Sequence, residues 1–182
     1  LLRAIQTIHE ATDDTLPDAN REALNVVEQS SRRECAALRT LTCIAHTRQQ
    51  VELLDKGVEA LNAEKLQALS ELHAATLRKG APSPPPPKDP AWARWVPQRV
   101  AEIRGPINLG RPQYGQWWLF DRLGNLDFLN LALVGDGDYY PYETLNFVDG
   151  TRTVQQIRSL VSAEYDPVPL EHVYDYFCLL QK

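Results

Sequence analysis

The chain has 182 residues, of which 43% are hydrophobic, so it can form the core of one medium domain or two small ones. Its formal net charge is −5, without a basic block, which argues against non-specific binding to nucleic acids. The uninterrupted apolar runs are only a few residues long, far short of the roughly 20 that a transmembrane helix needs. The sequence predicts no nucleic-acid partner and no membrane span. Because it begins at Leu1 and contains no methionine, we expect a piece of a larger protein.

The first segment, residues 1–18, contains a histidine that is followed four and five residues later by two aspartates, in the stretch IHEATDDTLPDANREAL. This stretch resembles the closing segment of the zinc-dependent aminopeptidases of clan MH, which include bacterial leucyl aminopeptidases and glutamate carboxypeptidase. The resemblance implies that His9 is a zinc ligand and that Asp13 or Asp14 lies in the turn after it. A histidine at a helix end, hydrogen-bonded to a neighbouring carboxylate, is the alternative interpretation.

The resemblance also implies an activity. In that family two zinc ions bind a water that loses its proton near neutral pH and attacks the peptide carbonyl. The remaining ligands and the general base would lie ahead of Leu1, in a missing α/β catalytic part. We expect this chain alone to be inactive, with no catalytic residue of its own, and the parent to be secreted or periplasmic.

Two long segments free of proline follow, within residues 19–80. Both are rich in Ala, Leu, Glu, Gln and Arg, which favour helices. In the second segment Val51, Leu54, Val58 and Leu61 form an apolar stripe at helical spacing. The pattern predicts a helix from about residue 20 to 45, another from about 48 to 79, and an antiparallel hairpin between them.

The middle of the chain has an irregular composition. Residues 81–90 read APSPPPPKDP, which predicts an extended linker, although such a run is also a possible ligand of SH3-type domains. Residues 91–138 contain all four tryptophans, namely Trp92, Trp95, Trp117 and Trp118. These rings are interpreted as core residues or as a stacking platform and interface.

Residues 139–182 predict a small module of three helices. Tyr142, Leu145 and Val148 give the first helix its apolar face, and Thr153 with Gln156 forms a capping box for the second. The inner face of the second helix is predicted to consist of Val154, Ile157 and Val161. The third begins after Pro169 and directs Val173, Tyr176, Phe177 and Leu180 inward. The apolar run from Phe128 to Val134 is the best candidate for a strand. The sequence thus predicts a mainly α chain with minor β structure and a winged-helix-like C-terminal module.

The charge of this module decides against DNA binding. It carries three Lys or Arg side chains and six acidic ones, whereas a surface that binds duplex DNA needs several cations. The tail resembles the winged-helix-like extension of some clan MH peptidases, and it is also similar to PqqD-like domains, which bind precursor peptides. In those domains a turn of the form DG-x-RTV-xx-I opens the second helix.

Three hypotheses follow for the function. The first is that the chain is the C-terminal accessory part of a di-zinc aminopeptidase, which covers the active-site cleft, sets substrate length or forms an oligomer interface. Its expected partners are the missing N-terminal catalytic part and either a peptide substrate or further copies in a homo-oligomer. The second is a non-enzymatic module that binds peptides or proteins through its PqqD-like unit and packs its hairpin against a partner. The third is a structural fragment held in a larger complex.

Overall fold

The computed structural model describes residues 2–79, 88–100 and 140–181. Within these ranges the chain is mainly helical and has no strand, which confirms the mainly α prediction. The candidate strand at residues 128–134, Trp117, Trp118 and most of the proline-rich linker lie outside them. The described α-helices are α1 (Leu2–Glu10), α2 (Leu16–Thr40), α3 (Arg48–Arg78), α4 (Tyr140–Asn146), α5 (Val154–Glu164) and α6 (Leu170–Leu180). Two short 3₁₀ turns cover Leu41–Ile44 and Ala91–Arg94.

The chain divides into two compact units, an N-terminal unit of residues 1–86 and a C-terminal unit of residues 87–182. Each unit has its own cluster of buried apolar side chains. None of the described helices combines the length and the apolar character needed to cross a bilayer.

The N-terminal unit is built on the predicted hairpin of α2 and α3. Helix α3 begins where Thr47 and Gln50 form a capping box, so that each side chain accepts a hydrogen bond from the other residue's backbone amide. Helix α2 starts at Leu16, four residues before the predicted position, because Pro17 lies in its first turn, where no amide donor is needed. It ends at Thr40 rather than at residue 45, and the 3₁₀ turn completes the connection.

Helix α1 packs against one end of the hairpin; the sequence predicts no bounds for it, although the alternative interpretation of His9 placed this residue at a helix end. Its Ala4 and Ile8 side chains, one helical turn apart, are fully buried against apolar residues of α2 and α3. Lys79, just after α3, donates hydrogen bonds of 2.7 Å to the carbonyl oxygens of His9 and Ala11. A cation at this position satisfies carbonyls that the end of α1 leaves without intrahelical partners.

A polar pair lies within the core of the N-terminal unit. The hydroxyl of Thr76 on α3 lies 3.1 Å from Oδ1 of Asn20 on α2, and both side chains are buried. Because a buried polar group without a partner costs about 1–3 kcal/mol, this pair favours one register of α2 against α3.

The C-terminal unit packs α4, α5 and α6 around a single core. The inward residues predicted on α5, namely Val154, Ile157 and Val161, are buried, as are Val173 and Tyr176 on α6. The capping box at the start of α5 is confirmed: Thr153 and Gln156 exchange hydrogen bonds of 2.9 and 3.2 Å. Whether the unit is winged-helix-like stays a prediction, since the candidate strand lies outside the described residues.

Candidate functional site

The predicted zinc ligand lies on the surface of the N-terminal unit. The imidazole of His9 is exposed in the last turn of α1, and Asp13 and Asp14 are exposed in the turn that follows. Their side chains make no hydrogen bond or ion pair with any described residue. The structure therefore does not bring His9 together with either aspartate.

Two threonines, rather than the aspartates, organise the turn between α1 and α2. Oγ1 of Thr15 accepts a hydrogen bond of 2.9 Å from the amide of Thr12 and lies 3.0 Å from the Thr12 hydroxyl. The carbonyl of Thr12 in turn accepts from the amide of Leu16 at 2.8 Å. Short hydroxyl side chains favour such local bonds, so these two threonines stabilise the turn.

The described ranges contain no group of three or more His, Cys, Asp or Glu side chains placed to hold a metal ion. The zinc site therefore stays a prediction from the resemblance, as does the role of Asp13 and Asp14.

Two of the predicted tryptophans, Trp92 and Trp95, lie against a tyrosine in the C-terminal unit. The ring of Trp92 stacks on that of Tyr174, with centroids 4.3 Å apart and an angle of 28° between the planes. Trp95 approaches the same tyrosine at 5.4 Å and 60°. These three rings, which we call the aromatic notch, join the 3₁₀ turn to α6.

The notch is part core and part surface. Trp92 is half-buried and packs against the core of the unit, whereas Trp95 is 53% exposed. Val96 and Val100, the next large apolar residues along the chain, are also exposed. Trp92 thus packs with the core, whereas Trp95 is exposed, and the role of all four tryptophans as a stacking platform or interface stays a prediction.

Hydrogen bonds hold the segment that carries the notch. The carbonyl oxygen of Trp95 accepts a hydrogen bond of 2.9 Å from the amide of Val154, the first residue of α5. Arg99 donates to the carbonyl oxygen of Leu145, near the end of α4, at 2.6 Å. Ala93, between the two tryptophans, is fully buried. Trp95 is thus positioned by two helices and one buried residue.

The exposed side of α6 places acidic groups next to the notch. Glu171 and Asp175 are exposed, and they lie three residues before and one residue after Tyr174, while Cys178 follows one turn later. A hydrogen bond with Cys178 is the main cause that raises the pKa of the Tyr174 hydroxyl, and burial and the charge of Asp175 add to it.

Sequence reasoning found two of the three rings. Tyr174 was missed because it lies about 80 residues from Trp92 and Trp95, and no local spacing connects them. Tyr174 lies in α6 between Val173 and Tyr176, which are both buried, so the spacing of apolar residues in α6 does not distinguish this tyrosine from the core residues.

Comparisons of the chain with models of known families, with curated proteins and with solved structures find no match.

Proposed function

We propose that the protein is a non-enzymatic peptide-binding module, whose C-terminal unit holds an extended peptide against the aromatic notch. The observation that carries the proposal is the exposed face of Trp95, tilted against a tyrosine that is itself stacked on a half-buried tryptophan. Tryptophan and tyrosine are enriched among the residues that contribute most to binding energy in protein interfaces.

The rigidity of the notch favours binding. Trp95 is held through its backbone by α5, and Tyr174 is fixed on a helix, so little conformational entropy remains to be lost when a peptide binds. Val96 and Val100 extend the apolar surface beyond the rings. A rigid apolar surface of this kind is typical of recognition sites for short linear segments.

The charged residues next to the aromatic notch indicate which class of peptide the notch would bind. Proline-rich segments in the polyproline II conformation dock in aromatic-lined grooves, because they lose little entropy on binding. Glu171 and Asp175 on the helix of Tyr174 favour a basic side chain next to the apolar contact. The ligand class proposed is therefore an extended peptide that combines proline with lysine or arginine.

The sequence of the tail supports the same function. The turn DG-x-RTV-xx-I, which resembles that of peptide-binding PqqD-like domains, is formed here by residues 149–157, directly before and within α5. The first amide of this helix is the one that binds the carbonyl oxygen of Trp95, so the turn and the notch are adjacent.

Fluorescence anisotropy can test the proposal with two labelled peptides, a decaproline flanked by three lysines at each end and one flanked by three glutamates. We expect saturable binding of the lysine peptide, weaker binding of the glutamate peptide, and an approximately tenfold loss of affinity, about 1.4 kcal/mol, in Trp95→Ala. Leu53→Ala, which removes an exposed side chain of the N-terminal unit, is the control.

Absence of saturable binding, or equal affinity for the wild-type protein and Trp95→Ala, would contradict this function. Circular dichroism should show unchanged helix content in Trp95→Ala, because the side chain is more than half exposed. The di-zinc aminopeptidase hypothesis stays a separate prediction, since it requires further ligands that the described residues do not group around His9.

A further inference from the structure

The chain contains a segment of the peptide class that the aromatic notch is proposed to bind. Residues 81–90 hold six of the chain's 13 prolines, and four of them are consecutive, at positions 84–87. Consecutive prolines favour the polyproline II conformation, and Lys88 adds a basic side chain directly after them. We call residues 84–88 the proline segment. Its composition matches the proposed ligand, which combines proline with lysine or arginine.

The described residues after the prolines show where the segment enters the C-terminal unit. Lys88 and Asp89 are exposed, and residues 88–90 form no turn. Pro90 has an extended backbone, with φ −62° and ψ 157°, and it directly precedes the 3₁₀ turn Ala91–Arg94. Asp89 also favours an extended backbone, because the residue before a proline avoids the helical region. The chain therefore reaches the N-terminal end of this turn without reversing its direction.

The exposed ring of the notch lies at the opposite end of the turn. A 3₁₀ turn repeats every three residues, so Trp92 and Trp95 lie on one side of it, and both contact Tyr174. Trp92, near the start, packs against the core, whereas Trp95, at the end, is more than half exposed. The prolines could cover Trp95 of the same chain only after a reversal that residues 88–90 do not make. The notch of one copy is therefore open to a segment from another copy.

We propose that the aromatic notch of one copy of this chain binds the proline segment of a second copy. The inference rests on the proposed function and names the partner of the same site. Proline rings pack on the exposed face of Trp95, in the way that aromatic-lined grooves hold polyproline II peptides. Every copy carries both the notch and the segment, so self-association needs no further protein.

Apolar contact contributes more than charge to the affinity of this association. Lys88 and Asp89 carry opposite charges. The exposed groups next to the notch also have both signs, since Glu171 and Asp175 lie on α6 and Arg94 lies in the 3₁₀ turn. A segment of five residues covers much less than the roughly 800 Å² per partner of a standard interface, so we expect a dissociation constant well above about 1 µM.

Fluorescence anisotropy with the full chain tests the contact itself. The probe is a labelled peptide of residues 81–90, APSPPPPKDP, and the control peptide APSAAAAKDP keeps the length and the charges but lacks the four consecutive prolines. We expect saturable binding of the probe and at least about fivefold weaker binding of the control, because alanine loses more conformational entropy and removes the ring contacts. Trp95→Ala should weaken binding of the probe about tenfold.

Sedimentation velocity of the full chain between about 10 and 500 µM tests the association, because a weak contact forms only at high concentration. We expect the sedimentation coefficient of the wild-type protein to rise with concentration. It should stay constant in Trp95→Ala, which lacks the exposed ring, and in the double variant P85S/P86S, which interrupts the prolines. A mixture of these two variants should associate, because each supplies the part that the other lacks. Ser83→Ala, next to the prolines, is the matched control and should behave as the wild type.

A constant sedimentation coefficient of the wild-type protein or of the mixture would overturn the proposal, and so would self-association that persists in P85S/P86S. Failure of the proposal is distinguishable from failure of the proposed function. If the lysine-flanked decaproline binds at Trp95 and APSPPPPKDP does not, the second copy is not the partner, while the peptide-binding function stands. If neither peptide binds, both fail. Circular dichroism of each variant should show the helix content of the wild type, so that unfolding is not mistaken for a lost contact.

Discussion

Asp149 shows how a single residue shapes the C-terminal unit. Its Oδ1 atom accepts hydrogen bonds from the amides of Thr151 and Arg152 at 2.8 and 2.9 Å, just before α5. Gly150, between Asp149 and Thr151, has a φ of 79°, a conformation that other residues rarely adopt. The bonds from these two amides lower the pKa of the Asp149 carboxyl to about 2, because they favour its charged form.

We expect Asp149→Ala to lower the free energy of unfolding by about 1 kcal/mol at neutral pH, because it removes the acceptor of two backbone hydrogen bonds in the turn before α5. Since the folded pKa lies below the unfolded value of about 4, the carboxylate contributes its full stability above pH 4 and loses it as the pH falls towards 2. The difference between wild type and variant should therefore shrink between pH 5 and pH 3 in urea unfolding experiments.

Asp149→Asn is the control for this prediction. It keeps one oxygen that can accept from the amides, so its loss at neutral pH should be smaller. A difference between wild type and Asp149→Ala that stays constant from pH 5 to pH 3 would contradict the assigned role of the carboxylate.

Helix α1 depends on contacts with residues outside the helix. Its nine residues are too few for a stable isolated helix, so it depends on packing against the hairpin and on its terminal hydrogen bonds. Ala4 and Ile8 supply the packing, and Lys79, about 70 residues away in sequence, binds the carbonyl oxygens of His9 and Ala11. The helix is thus held at its C-terminal end by the residue that follows α3.

We expect Lys79→Met to loosen α1 without unfolding the hairpin. Methionine keeps most of the apolar stem but cannot donate the two hydrogen bonds, each of which contributes about 1 kcal/mol. Hydrogen exchange measured by mass spectrometry should become faster in residues 2–10 and stay unchanged in the middle of α2 and α3. Lys56→Met, a change at an exposed lysine of α3, should leave both regions as in the wild type. Unchanged exchange in α1 would show that its packing alone is sufficient.

At the scale of the whole molecule, the two buried clusters share no residue. One contains Ile8 and residues of α1 to α3, and the other contains Ile157 and residues of α4 to α6. Both isoleucines are fully buried, so truncation of either one to alanine should cost about 2–5 kcal/mol.

We expect each truncation to act within its own cluster. Ile8→Ala should lower hydrogen-exchange protection in α1, α2 and α3, and Ile157→Ala should lower it in α4, α5 and α6. Effects of sites that share no partners add, so the double variant should show the sum of the two patterns. A loss of protection in both units after either single change would contradict the division.

The sequence alone determined the features that depend on neighbours along the chain. The mainly α class, the start of α3 after Thr47, the capping box at Thr153 and the inward faces of α5 and α6 follow from propensity, side-chain capping and helical spacing. These are local effects that act within one or two turns, so they can be recognised without knowledge of the fold.

Only the tertiary structure decided what distant segments form together. The aromatic notch joins Trp92 and Trp95 to Tyr174, although Tyr174 is far from both tryptophans in sequence. The position of helix α1 was also decided by the tertiary structure, since burial of Ala4 and Ile8 depends on the hairpin that covers them. Such features arise because packing depends on distances in space, and these distances are fixed only once the helices have found their partners.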